Sequence, residues 1–80
     1  MKQYKIMLPG VGEAKEFVAA ATKCDFDIDV YYNRVTIDAK SILGVLSLDL
    51  TKALTVEFNG ENVEFETYLL EKAPSRIHAA

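Results

Sequence analysis

Apolar and polar positions along this chain follow two rhythms, one of period two and one of helical period, and the two alternate from end to end. Tyr4, Ile6 and Leu8 alternate with Lys5 and Met7 and run into Pro9-Gly10, which predicts a short strand entering a turn. Residues 13 to 22 are helix formers, and Val11, Ala14, Phe17, Val18 and Ala21 fall on one apolar face at helical spacing, so a helix follows. Asp25-Phe26-Asp27-Ile28-Asp29-Val30 alternates acid and apolar residue without a break, as in a strand with one wet face and one buried face. Asn33 tolerates a left-handed turn and Val35-Thr36-Ile37 resumes the alternation, so the second and third strands form a hairpin.

Ser41 is a good helix cap in front of Ile42-Leu43-Gly44-Val45-Leu46-Ser47-Leu48, a short helix interrupted by one glycine. Leu54, Val56 and Phe58 alternate with Thr55, Glu57 and Asn59 as a fourth strand. The last segment fits two patterns. Asn59-Gly60 followed by Val63, Phe65, Thr67 and Leu69 reads as a hairpin, yet Tyr68, Leu69 and Lys72 stand three, four and seven residues after Phe65 and Asn62 can cap a helix, so helix is preferred for 62 to 72. The order β-α-β-β-α-β-α implies an α+β open-faced β-sandwich: a four-stranded antiparallel sheet with three helices on one face. Asp25, Asp27 and Asp29 are expected on its bare face, where like charges discourage edge-to-edge association.

Eighty residues fit one domain, expected over residues 1-73, with a fraying tail at 74-80. Half the residues are hydrophobic and 26% are charged, the balance of a folded globule. The net charge of −3 and the scattered basic residues argue against nucleic acid as a partner. The first eight residues lack the apolar run of a signal peptide, and nowhere do eighteen apolar residues follow one another, so no membrane association and a cytoplasmic location are expected. One cysteine, Cys24, and one histidine, His78, exclude a disulfide framework and a zinc set of the usual spacing, so neither metal nor cofactor is expected. Cys24 reads as a small buried hydrophobe rather than a nucleophile, and His78 and Arg76 as surface residues of the tail.

The second helix carries the most information. On a helical wheel Val45 and Leu48 lie on one side while Ile42, Leu43, Leu46 and Leu50 cluster on another, more apolar surface than a helix on one sheet can bury. Either loops and the first helix cover the remainder or it forms a patch for a protein partner.

Ala39-Lys40-Ser41-Ile42-Leu43-Gly44-Val45-Leu46-Ser47-Leu48 resembles the regulatory-serine segment of the HPr phosphocarrier proteins of the bacterial sugar phosphotransferase system, in the form found in low-GC Gram-positive bacteria. The element order is also that of the HPr-like fold, and the resemblance runs from the first strand to about residue 72. HPr proteins carry a phosphoryl group on the histidine of a Gly-x-His-x-Arg-Pro-Ala motif between the first strand and first helix. Here that connection reads Leu8-Pro9-Gly10-Val11-Gly12-Glu13-Ala14, shorter and with neither histidine nor arginine. Asp49 stands where the family often has glycine, a position whose left-handed backbone Asp tolerates.

The resemblance implies a phosphorylation site at Ser41, the target of HPr kinase/phosphorylase, and a partner-binding patch at Ile42, Leu43, Leu46 and Ser47. The expected function is that of an HPr-like protein without histidine phosphocarrier activity: not an enzyme, but a regulatory protein-binding module in carbohydrate regulation. The implied partner is a catabolite-control repressor. The alternatives are a phosphoryl-transfer protein with a non-histidine acceptor, such as Ser41, and a scaffold that forms a homodimer through the same apolar helix.

Overall fold

The computed structural model describes residues 1–74. Its elements are β1 (Lys2–Ile6), α1 (Val11–Thr22), β2 (Ile28–Tyr32), β3 (Val35–Asp38), α2 (Ile42–Leu46), β4 (Leu54–Phe58) and α3 (Val63–Glu71). The four strands form one antiparallel sheet in the order β1-β4-β2-β3, and the three helices complete the open-faced sandwich expected from the sequence. β4, last in sequence, is inserted between β1 and β2, pairing Tyr4 with Val56 on one side and Val30 with Val56 on the other. Central position explains its composition, since Leu54, Thr55, Val56 and Phe58 are all buried.

Phe58 is the aromatic centre of the core. Its ring lies 5.4 Å from Phe26, 5.9 Å from Tyr4 and 5.5 Å, edge-on, from Phe65 of α3, so one residue of β4 ties β1, the α1–β2 connection and α3 together. α1 buries Ala14, Phe17 and Ala21 against this core, and its two alanines let the helix lie close to the sheet. At the other end of the apolar stripe Val11 is half exposed, so the stripe read from the sequence overshoots by one turn.

The structure corrects the sequence reading at three further places. β2 starts at Ile28, three residues after the alternation begins, because Ile28 pairs with Phe58 and the chain bends away at Asn59-Gly60, leaving Asp25, Phe26 and Asp27 no strand to pair with. The sheet's bare face therefore carries Asp29, not all three aspartates, and Asp29 stands in register with Asp38 and Glu57. α2 stops at Leu46 instead of Leu48, and Asp49 does not take the left-handed backbone; among the described non-glycine residues only Asn33 does, with φ 55°, as the hairpin turn requires. Asp49 instead accepts from the backbone N–H and the hydroxyl of Thr51, which hold its carboxyl below the usual range.

α3 is a helix, capped as expected by Asn62, whose side chain accepts from the Phe65 N–H at 2.9 Å. It is fastened to β1 by Glu66, whose carboxylate accepts from Lys2 Nζ at 2.8 Å and from the Tyr4 hydroxyl at 2.6 Å. No helix among the described residues is long and apolar enough to cross a membrane. Arg76, His78 and all of the expected fraying tail after Pro74 lie outside the described residues.

Candidate functional site

α2 is set up by the turn that leaves β3. Asp38 accepts the Lys40 N–H on its side chain and the Ser41 N–H on its carbonyl, both at 2.9 Å, which delivers Ser41 in an extended conformation at the head of the helix. The Ser41 hydroxyl then accepts from the Gly44 N–H at 3.2 Å, the cap that the sequence announces. Gly44 is required by a second contact, because a Cβ at this position would stand 2.3 Å from Cγ2 of Ile37 on β3. Lys40 reaches back to donate to the Cys24 carbonyl at 2.8 Å, tying the segment to the end of α1.

Five residues make too short a helix to bury two faces, and it buries one. Val45 and Leu48 enter the core; Ile42, Leu46 and Leu50 are half-buried; Leu43 is 80% exposed. Ser47 is exposed beside them, its hydroxyl donating to the Gly44 carbonyl at 2.5 Å. The structure thus brings Ser41, Ile42, Leu43, Leu46 and Ser47 together on one short, uncharged surface. Leu43 in water, with half-buried Ile42 and Leu46 and a capping hydroxyl beside it, suits a contact with another protein.

The start of α1 is built differently. Gly10 occupies the cap position with φ 126°, a backbone that glycine adopts at little cost, and no side chain caps the helix. Glu13 lies in the first turn and forms an ion pair with Lys72, just beyond α3, whose ammonium also sits 5.5 Å from the centre of the Tyr68 ring. The Tyr68 hydroxyl is buried and has no hydrogen-bond partner among the described residues. Burial first, and then the negative charges of Glu13 and Glu16, push its ionisation above the ordinary tyrosine range.

The model of the family described as the PTS HPr component phosphorylation site matches residues 12–70. The chain belongs to the HPr family. The crystal structure of HPr-C-His from Thermoanaerobacter tengcongensis is similar to it with a TM-score of 0.75 and 25% identity, over 95% of this chain and 94% of that one. The family match begins at Gly12, inside α1, and the HPr-family β1–α1 connection here is Met7–Gly10, which holds no histidine.

Set in the HPr fold, Cys24 is a core residue. It is 4% exposed, its thiol points to the Ala20 carbonyl, and burial raises its ionisation, with Asp25 adding to the rise and Lys40 opposing it. Among the described residues no group of three or more His, Cys, Asp or Glu is placed to hold a metal ion. Sequence reasoning missed the Glu13–Lys72–Tyr68 group altogether. Its members are 59 residues apart at the extremes, and only the packing of α3 beside α1 joins them.

Proposed function

We propose that this HPr-family protein is a regulatory protein-binding module that acts through the α2 surface and does not carry phosphate on histidine. The observation that supports the reading is a pair of features in one chain: an exposed apolar surface beside a capping serine, and a β1–α1 connection with no histidine. Ser41 is the phosphorylation site and HPr kinase/phosphorylase the enzyme that modifies it. A phosphate there adds a charge of about −1.5 to −2 where the serine hydroxyl already faces the Gly44 N–H, so the modification needs little movement of the backbone.

The dianion changes the surface next to Ile42, Leu43, Leu46 and Ser47 and offers an arginine on a partner a charge-assisted contact. A catabolite-control repressor is the partner class that this reading implies, with the cytoplasm as the place of action and binding, not catalysis, as the role. Incubation with the general phosphotransferase enzyme and phosphoenolpyruvate should leave the protein unlabelled. Acid-labile label on the protein would overturn the non-carrier reading, and unchanged partner capture by a Leu43→Ser/Leu46→Ser variant would overturn the binding surface.

A further inference from the structure

The two edges of the sheet are treated differently. β1 is fastened to α3 through Glu66, and the Met7 N–H just beyond it donates to the Lys72 carbonyl at 2.8 Å. β3 is bonded to β2 on one side, and among the described residues no element pairs with its other side. Such an edge presents a row of backbone donors and acceptors to solvent. Val35, a β-branched residue on this edge, is half exposed.

The hairpin fixes which groups those are. Tyr32 pairs with Val35 and Val30 with Ile37, and in the same register the Ala39 N–H donates to the Ile28 carbonyl at 2.9 Å. Residues 35, 37 and 39 therefore turn their backbone groups toward β2. The Arg34 carbonyl, both groups of Thr36 and the Asp38 N–H point the other way, while the Asp38 carbonyl already accepts from Ser41.

Arg34-Val35-Thr36-Ile37-Asp38 is, moreover, complementary to itself when reversed. We propose that β3 pairs antiparallel with β3 of a second copy about a two-fold axis at Thr36, making one sheet continuous across the dimer. In this register Thr36 faces Thr36 of the second copy, each Val35 meets an Ile37, and each Arg34 lies opposite an Asp38. The outward-pointing groups make about four backbone hydrogen bonds across the axis.

Charge selects this register over its neighbour. Moving the axis to Ile37 sets Arg34 against Lys40, two like charges in place of two opposite ones. The pairing also answers a need of the bare face, where Asp38, Asp29 and Glu57 stand side by side across three strands. Arg34 of the second copy arrives at the open end of that row. Because β3 has four residues, the contact is smaller than the roughly 1,200 Å² of a permanent complex, and the dimer is weak and reversible.

Sedimentation equilibrium of the whole chain from about 10 μM to about 1 mM tests this. The expected result is a concentration-dependent monomer–dimer equilibrium, with amide-exchange protection at Thr36 rising as dimer forms. Arg34 is exposed, so Arg34→Glu should keep the far-UV circular dichroism of the parent while weakening the dimer at least ~10-fold, because it sets an acid against Asp38. Leu43→Ser should leave the dimer intact, which separates this edge from the α2 surface. A monomer throughout the range, or a dimer that survives Arg34→Glu, would overturn the proposal.

Discussion

α1 and α2 begin in opposite ways. α1 starts at an uncapped Gly10, and the charge in its first turn, Glu13, is answered from within the chain by Lys72. α2 starts at a serine that caps it, has no charged residue along its length, and turns Leu43 out to solvent. In the HPr family the connection before the first helix holds the phosphorylated histidine, and here the residues around it interact with one another. The second helix leaves Leu43 in solvent. The contrast teaches that two helix starts on a shared sheet can be built independently, one with an ion pair to a distant residue and one with a local serine cap, because each rests on its own contacts.

The contrast can be broken most severely from below. Gly44→Ala places a Cβ against the stiff, β-branched Ile37, so α2 must move off β3; urea denaturation should show a loss of about 1–3 kcal/mol. An unchanged midpoint would mean that α2 is not seated by this contact. Ser41→Ala removes the cap and should cost about 1 kcal/mol, measured in the same way, with no change in the α1 end.

At the α1 end the expected sign is reversed. Tyr68→Phe deletes a buried hydroxyl that has no partner among the described residues and should raise stability by up to about 1 kcal/mol. Its pH dependence follows from the raised ionisation: above pH 10.0 the unfolded chain loses the Tyr68 proton while the folded chain keeps it, so folding weakens as pH rises through that range. The Phe variant should lose this part of the alkaline slope in denaturation titrations. The smallest effect on stability, within about 0.5 kcal/mol, is expected for Leu43→Ser, because the side chain is already in water. Its partner binding, read by calorimetry, should nevertheless fall by ~10-fold or more.

Much of this contrast was legible in the residues, and the exceptions have physical causes. The wheel of α2 separates Val45 and Leu48 from Leu43, and burial divides them along the same line. Ser41, Asn62 and Asn33 act locally, within three residues, so their cap and turn roles follow from sequence alone. Alternation through Asp25 and Asp27 misleads because period two records which way side chains face, while a strand also needs a partner, and β4 ends at Phe58. The helical stripe likewise marks Val11 apolar without showing that the fold leaves it half exposed. The Glu13–Lys72 pair and the aromatic contacts of Phe58 join distant residues, and only tertiary packing reveals them.

Our proposal is that Ser41 and the α2 surface, not the start of α1, form the working end of this protein. Its most direct test is incubation of the purified chain with HPr kinase/phosphorylase and ATP, with the added phosphate located by peptide mass spectrometry. The account predicts one phosphate, on Ser41, and none in a Ser41→Ala variant that remains folded. A chain left unmodified, or a phosphate that persists in Ser41→Ala, would contradict it.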